Sequence, residues 1–289
     1  MPVLRIDAHQ HCWQLSRGDY HWLTPDLKEI YRDFLPADLR PLLAGAGVSK
    51  TVLVQAAASE EETAFMLRLA DETDFIAGVV GWIDMEQPTA VETLVRLGRH
   101  PAFKGIRPMI QDIADTQWML KPELEPVFLA LIELGLTFDA LVKPQHLEVL
   151  CLLLERYPDL KAVIDHGAKP DIATGSKTNW FENIGRIAAE TQAYCKLSGL
   201  ITEVEEGAAM DCLLPYMEHL RDCFGADRLM WGSDWPVVTT AASYDAWVSA
   251  SERFIARFDK TEQAAIWGKT AAAFYGLEAG LKPGPVEFE

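Results

Sequence analysis

Apolar positions occur along the chain in two alternating patterns, short continuous runs and longer segments with helical spacing. The short runs are rich in β-branched residues, and their nearly continuous apolar character is typical of parallel strands buried on both faces. Eight such runs predict eight strands, at residues 3–6, 51–56, 76–82, 104–107, 136–142, 162–165, 193–197 and 229–232. Strands that alternate with covering helices indicate an α/β protein.

Helices are predicted in the segments between these runs. Ser59 and Glu62 have the spacing of a capping box at the start of one helix, and Gly135 and Gly225 are placed to end two others. Further helices are predicted over residues 123–134, 144–157, 208–224, 244–258 and 261–275. A helix after nearly every strand favours crossover connections and therefore a parallel sheet.

The predicted fold is a single (β/α)8 TIM barrel over residues 1–279, with an extended appendage at 280–289. An open doubly wound sheet is the competing architecture, because eight strands suit that fold as well. Reactive side chains follow several different strands, including the first, the sixth and the eighth. In a barrel all strand ends open onto one mouth, so this distribution favours the barrel.

Composition narrows the class of protein. The 289 residues are 49% hydrophobic and carry a formal net charge of −17, which repels nucleic acid phosphates and anionic membranes alike. The five cysteines are widely spaced without a C-x-x-C pair, which argues against a disulfide framework and a thiolate zinc site. With no apolar run near the roughly 18 residues of a membrane span, we expect a cytoplasmic protein.

Candidate metal ligands lie at the ends of three predicted strands. His9 and His11 follow the first strand, and residues two apart in an extended backbone point to the same side. His166 follows the sixth strand and Asp234 follows the eighth. Two or three imidazoles with one carboxylate match the ligand set of a catalytic zinc ion, which keeps a position open for water.

Structural roles are the alternatives for these residues and for the cations near them. Asp234 could cap a helix beyond Pro236, and His166 could be a hydrogen-bonded core histidine. Arg107, at the end of the fourth strand, could form a barrel salt bridge, and Lys169 has the same alternative.

The order of these motifs resembles the amidohydrolase superfamily, whose members are metal-dependent hydrolases on a (β/α)8 barrel. A further set of segments resembles the branch that contains sugar-lactone and pyrone-dicarboxylate lactonases. These segments are Trp13, WLTP at 22–25, KGIR at 104–107, FD at 138–139, DHGAKP at 165–170, KLSGL at 196–200 and WGSDWP at 231–236. The resemblance extends from residue 3 to about residue 277, and it is closest to the neutral sugar lactonases.

The chain departs from the pattern of dinuclear members of that superfamily. Those members carry a metal-bridging Lys or Glu on the fourth strand and a His after the fifth, where this chain has Arg107 and Asp139. The resemblance therefore implies one divalent ion, which we expect to be zinc. Its expected ligands are His9, His11, His166 and Asp234. Since some lactonase relatives dispense with metal, action without an ion is the alternative.

The resemblance also implies roles in lactone hydrolysis. Asp234 is the expected general base, which takes a proton from water and returns it to the leaving alkoxide. His166 is expected to orient water or stabilise the oxyanion, and Arg107 to bind the carbonyl oxygen or a ring hydroxyl. The remaining residues expected to contact substrate are Asp139, Lys169, Trp22 and Trp235.

A neutral sugar lactone, such as L-fuconolactone or L-rhamnonolactone, is the expected small-molecule partner. A dicarboxylate substrate needs several cations at the mouth, and only Arg107 and Lys169 are placed there in this acidic chain. A metal-dependent decarboxylase of the same superfamily is the main alternative, and a binding protein on an enzyme-derived barrel is another. Neither nucleic acid nor membrane is expected as a partner, and a homo-oligomer is left open.

Overall fold

Eight short parallel strands form one sheet, and their order in the sheet follows their order in the chain. The structure is a computed structural model that describes residues 4–175, 179–205, 207 and 209–277. The strands are β1 Ile6–Gln10, β2 Lys50–Val54, β3 Ile76–Gly81, β4 Phe103–Ile106, β5 Thr137–Ala140, β6 Lys161–Ile164, β7 Tyr194–Leu197 and β8 Leu229–Trp231. Each strand pairs in parallel with the next, from β1 to β8.

The first and last strands meet just beyond the end of β8. The backbone N–H of Asp234 donates to the carbonyl of His9 at 2.8 Å, and that of His11 donates to the carbonyl of Trp235 at 2.7 Å. With these two hydrogen bonds, an isolated parallel bridge joins Gln10, the last residue of β1, to Trp235, which follows β8. The sheet is therefore a nearly closed (β/α)8 barrel, as predicted, and the open-sheet alternative is wrong.

Helices cover the outside of the barrel between successive strands and after β8. They are α1 Pro36–Ala46, α2 Glu60–Glu72, α3 Ala90–Leu97, α4 Glu125–Leu134, α5 Leu147–Arg156, α6 Trp180–Glu190, α7 Leu214–Phe224, α8 Tyr244–Ile255, α9 Lys260–Ala264 and α10 Thr270–Tyr275. The apolar core lies between these helices and the sheet. For example, Phe128 of α4 packs edge to face on Phe138 of β5, with ring centroids 5.4 Å apart.

The predicted strands and helices are present with shifted ends. Among the strands the largest shift is in β1, which was expected at 3–6 and instead runs from Ile6 to Gln10, so His9 lies in the strand rather than after it. Polar side chains in this strand concealed it, and they bond to groups on other strands and loops: Asp7 accepts from the N–H of Ser233, His9 accepts from Lys196 and Gln10 donates to Thr51. Among the helices the largest shift is in α7, which was expected from residue 208 and begins at Leu214. Residue 3, Ala208 at the predicted start of α7, and the expected appendage at 280–289 lie outside the described residues.

The capping box predicted at α2 is only half present. The side chain of Ser59 accepts a hydrogen bond from the backbone N–H of Glu62, as expected of an N-cap. The carboxylate of Glu62 does not return this bond and instead accepts from the backbone N–H groups of Ala56 and Ala57, at 3.0 and 2.8 Å. Glu62 therefore fixes the loop after β2 rather than the helix start.

Two further helices contain irregular turns that periodicity did not predict. The predicted helix 261–275 is interrupted by the wide turn Ala265–Lys269 between α9 and α10. The predicted helix 144–157 begins with a 3-10 turn, Pro144–His146. Among the described residues no helix is both long and apolar enough to cross a bilayer.

A glycine sets the spacing between β4 and β5. A Cβ atom built on Gly105 would lie 2.1 Å from the hydroxyl of Thr137 and 2.3 Å from its carbonyl oxygen. Because the carbonyl belongs to the backbone of the paired strand, the sheet itself has to move to make room. The position therefore requires glycine for close approach of two barrel strands.

We expect Gly105→Ala to lower the free energy of unfolding by about 1–3 kcal/mol, the usual cost of overpacking a core. Urea denaturation of wild type and variant measures the change. Gly45→Ala is the matched control, because Gly45 lies inside α1 and a Cβ atom there meets nothing within 4 Å. The control should raise stability by about 0.5–1 kcal/mol. Equal stability of the Gly105 variant and wild type would contradict the analysis.

Candidate metal and active site

Three imidazoles and one carboxylate converge at the mouth of the barrel, at the ends of β1, β6 and β8. The Nε2 atoms of His9 and His11 are 3.2 Å apart. Oδ1 of Asp234 lies 3.3 Å from Nε2 of His11, 3.7 Å from Nε2 of His9 and 3.8 Å from Nε2 of His166. All four side chains are buried. The structure thus brings together all four residues that the sequence named as metal ligands.

The backbone around His166 and Asp234 takes unusual conformations that aim both side chains into the mouth. His166 has φ of 55° and Asp234 has φ of 58°, in the left-handed region that few non-glycine residues adopt. Gly199 lies against the ring of His166, where a Cβ atom would approach Nδ1 to 2.4 Å. Such backbone outliers often occur at functional sites, where the surrounding structure holds them in place.

Hydrogen bonds to the far side of two rings fix their orientation. Nδ1 of His11 lies 2.8 Å from the carbonyl oxygen of Val54, which can only accept, so His11 donates from Nδ1 and its Nε2 carries the lone pair. Nδ1 of His166 lies 2.9 Å from the hydroxyl of Ser198. Bonds of this kind set the tautomer and direction of histidine ligands in metal sites.

Burial and neighbouring groups set the protonation states at this point. Burial lowers the pKa of His9 and of His11, and it lowers the pKa of His166 to about 4. Burial alone would raise the pKa of Asp234, but the interactions with His166, His11 and His9 outweigh it and bring this pKa far below its usual range. Neutral imidazoles beside an ionised carboxylate are the forms that bind a divalent metal.

Among the described residues at the barrel mouth, two overlapping groups of side chains could hold such an ion. One consists of His9, His11 and Asp234 and the other of His9, Asp165 and His166, each with ligand atoms within 4.8 Å of one another. The donor set of imidazole nitrogen and carboxylate oxygen suits zinc. The residues present therefore fit one divalent ion at the barrel mouth.

A cavity of about 380 Å³ opens above these residues. Trp22, Arg107 and Lys169, three of the residues expected to contact substrate, line it together with His11, His166 and Asp234. A second cavity of about 640 Å³ adjoins it, since Lys169 and Glu203 line both. Cavities of this size with a few polar groups are typical of small-molecule sites.

Trp235 and Asp139, which were also expected to contact substrate, are fully buried away from this cavity. Trp235 packs edge to face on Phe34, with ring centroids 5.3 Å apart. Asp139, on β5, accepts hydrogen bonds from Thr137 at 3.1 Å and from Tyr275 of α10 at 2.6 Å. Direct contact of either side chain with a substrate in the cavity is therefore not supported, because both side chains are occupied inside the protein.

Arg107 is both a buried salt bridge and a residue of the cavity wall. Its Nη1 lies 3.3 Å from Oδ2 of Asp165 and 3.3 Å from Nε2 of His9. Its Nη2 donates to the carbonyl of Gln55, whose side-chain amide donates back to the carbonyl of Arg107. The two interpretations of Arg107 are therefore compatible, and the fixed guanidinium presents its remaining surface to the cavity.

Lys196 is a site residue to which the sequence reasoning assigned no role. It lies on β7 with its side chain fully inside the barrel, and its Nζ is 2.6 Å from Oδ2 of Asp139, 3.0 Å from Oδ1 of Asp165 and 3.1 Å from Nδ1 of His9. The signal available was a lysine in the middle of an apolar strand, where an unpaired charge is too costly to bury.

Comparison with known proteins agrees with the resemblance seen in the motifs. Residues 6–277 match the family described as amidohydrolase. A Burkholderia ambifaria protein named L-fucono-1,5-lactonase is 45% identical over 280 residues, covering 96% of this chain and 97% of its own length. A Burkholderia multivorans protein of the same name is 34% identical, with 96% and 97% covered.

A solved structure shares the fold over nearly the whole chain. It is a crystal structure of an amidohydrolase from Burkholderia multivorans with bound zinc, 35% identical to this chain, with a TM-score of 0.91. The alignment covers 95% of this chain and 100% of that one.

The low pKa of His166 predicts a pH dependence of stability. The pKa of His166 is about 4 in the folded chain, against 6.5 for an ordinary histidine. Between pH 6.5 and pH 4 this histidine is therefore protonated in the unfolded chain and neutral in the folded chain. Stability should therefore fall as the pH drops from 6.5 to 4, by about 3 kcal/mol from this residue.

Denaturant unfolding of the metal-free protein at several pH values measures this loss. His166→Asn removes the titrating group and keeps a side chain that tolerates positive φ. We expect the variant to lose about 3 kcal/mol less than wild type across this interval. Parallel pH curves for the two proteins would show that His166 is not the group responsible.

Proposed function

The chain belongs to the amidohydrolase family, and on that premise we propose that it hydrolyses a neutral sugar lactone to the corresponding sugar acid. L-Fucono-1,5-lactone, named for the two Burkholderia relatives, is the first candidate substrate. The observation that carries the proposal is the position of the Asp234 carboxylate on the wall of a cavity of about 380 Å³, with the Nε2 atoms of three imidazoles within 3.8 Å of its Oδ1.

In the proposed reaction, water attacks the lactone carbonyl and the ring ester bond breaks. Asp234 accepts a proton from the attacking water and then delivers it to the ring oxygen as this oxygen leaves as an alkoxide. The new carboxylic acid releases its proton to solvent. Asp234 suits the base role because its carboxylate is ionised at neutral pH and points into the cavity.

His166 and Arg107 flank the position of the carbonyl in this proposal. Arg107 is fixed by Gln55 and Asp165, so its guanidinium is already oriented before substrate binds. Fixed donors of this kind stabilise the negative charge that develops on a tetrahedral oxyanion. His166, fixed by Ser198, orients the water or contributes to the same stabilisation.

We expect one divalent ion, zinc, to be held by Asp234 and His11 together with His9 or His166. When bound, such an ion lowers the pKa of water and polarises a carbonyl oxygen. The zinc in the Burkholderia multivorans structure supports this expectation for the metal type. Hydrolysis by Asp234 and the imidazoles without an ion is the alternative that a metal analysis of the purified protein decides.

The substrate class follows from the charges around the cavity. Trp22 offers an apolar face for a sugar ring, and its indole N–H donates to the carbonyl of Ala56 at 2.6 Å. Among the described residues of the cavity wall, Lys169 and the buried Arg107 are the two cations. One of them is already paired with Asp165, which favours a neutral lactone over a dicarboxylate.

Asp139 and Trp235 have supporting roles in this proposal. Asp139 binds Lys196, and Trp235 is paired with Gln10 beside the metal ligands. We further propose that the enzyme acts in the cytoplasm on a free small molecule, without nucleic acid or membrane. A homo-oligomer is compatible with this function.

We expect Asp234→Asn to lower kcat on L-fucono-1,5-lactone by about 10²–10⁴-fold, the usual contribution of a general base. Acid release from L-fucono-, L-rhamnono- and galactonolactone, followed with a pH indicator, measures the rates. Asp227→Asn is the control, because Asp227 is exposed and precedes β8 at the other end of the same strand. It should leave the rate unchanged.

Two outcomes would overturn the proposal. Full activity of the Asp234 variant would remove the assigned base. Release of carbon dioxide from an aromatic or muconate-like acid, without turnover of any lactone, would replace the lactonase with a decarboxylase that uses the same residues.

A further inference from the structure

Lys196 is fully enclosed beneath the metal-ligand cluster, where its ammonium group has three close partners. It forms hydrogen bonds with Oδ2 of Asp139 at 2.6 Å and with Nδ1 of His9 at 3.1 Å, and it forms an ion pair without a hydrogen bond with Oδ1 of Asp165 at 3.0 Å. A buried ammonium group is tolerated when it is paired with carboxylates, and two are present here. An ammonium group can only donate hydrogen bonds, so Nδ1 of His9 is the acceptor in its contact with Lys196.

The other ring nitrogen of His9, Nε2, lies close to a hydrogen-bond acceptor and to a donor. Nε2 lies 3.2 Å from Nε2 of His11, which carries a lone pair because the other nitrogen of that ring donates to Val54. Nη1 of Arg107 also lies 3.3 Å from Nε2 of His9, but it has an alternative acceptor at the same distance, Oδ2 of Asp165. An N–H on Nε2 of His9 therefore has a partner in His11.

A neutral imidazole has one N–H and one lone pair, so the two sides of the ring are linked. If Nδ1 accepts from Lys196, the proton is on Nε2, and Nε2 then has no lone pair for a metal. The other tautomer would place the proton on Nδ1, where Oδ1 of Asp165 lies 3.5 Å away as an acceptor.

We propose that Lys196 is a positioning residue that holds His9 in the Nε2–H tautomer and so opposes metal binding at this histidine. In the metal-free chain His9 donates to His11 and is not poised as a ligand. For Nε2 to bind an ion, the ring proton has to shift from Nε2 to Nδ1 and pair there with Asp165, with no net gain or loss of protons. Lys196 keeps its two carboxylate partners throughout.

Tyr275 connects this arrangement to the last described helix. Its hydroxyl donates at 2.6 Å to Oδ2 of Asp139, the same oxygen that binds Lys196. With both donors on one oxygen, the Asp139 carboxylate cannot turn away, and it holds Lys196 against His9. The inference rests on the site proposed above, but it involves neither the lactone nor turnover, so its outcome is separate from that of the lactonase assay.

The direct test is the tautomer of His9 in the metal-free wild-type protein. Long-range ¹H–¹⁵N correlation spectra of histidine-labelled protein distinguish Nε2–H from Nδ1–H rings, and the spectrum of His9→Gln identifies the His9 signals. We expect the Nε2–H pattern for His9. A Nδ1–H pattern would overturn the inference, whatever any variant does.

The second measurement is the zinc affinity of Lys196→Met, determined by competition with a chelator. Without the donor, Nδ1–H can pair with Asp165, so we expect the Nδ1–H pattern and a dissociation constant for zinc at least about tenfold lower. Lys161→Met is the control, because Lys161 is exposed at the start of β6 and should change neither. A dissociation constant for zinc in Lys196→Met that is equal to or higher than that of the wild type would contradict the inference.

The spectra also distinguish two explanations for tighter zinc binding, a change in the His9 tautomer and the loss of the Lys196 charge. A variant that binds zinc more tightly while His9 keeps the Nε2–H pattern in the metal-free form would assign the gain to lost repulsion, and the inference would fail. If Lys196→Met does not fold, Tyr275→Phe tests the same arrangement with a smaller change. It should increase zinc affinity in the same direction, and an unchanged affinity there would also count against the inference.

Discussion

The interior of this barrel depends on the pairing of charges that are removed from water. Lys196 and Arg107 lie inside the barrel with Asp139, Asp165 and Asp234, and all five side chains are almost completely buried. Burial of an unpaired charge costs several kcal/mol even after the protein relaxes, so each of these groups constrains the position of the others. Asp165 is central, because it contacts Lys196, Arg107 and His9 together.

The same pairing explains why two carboxylates of one cluster behave differently. Burial raises the pKa of Asp139, and Lys196 only partly offsets this effect. Burial would also raise the pKa of Asp165, but Lys196, His9 and Arg107 together lower it well below its usual range. Asp165 thus remains an anion beneath the site and can accept a hydrogen bond from an N–H on Nδ1 of His9, whereas Asp139 relies on Tyr275 and Lys196 for its partners.

The sequence predicted the order of strands and the rim residues because both depend on local signals. Apolar runs mark buried strands, and His9, His166 and Asp234 follow or end such runs. The roles of Asp139, Trp235 and Lys196 could not be obtained in this way. Whether a polar side chain on β5 or β7 points into the barrel or into the cavity depends on the register between strands. A local sequence pattern does not predict that register.

The closing seam of the barrel connects fold stability with the site. The hydrogen bond that pairs β1 with the residues after β8 joins His9 and Asp234 themselves, through the carbonyl of one and the N–H of the other. Asp7 reinforces the seam, because its carboxylate accepts from the N–H of His9 at 3.2 Å and from that of Ser233 at 2.8 Å. Burial raises the pKa of Asp7 to about 7, so the charge of this carboxyl changes close to neutral pH. The geometry of the ligands is therefore set by the bonds that close the barrel, and a change that loosens the seam displaces His9 and Asp234 together.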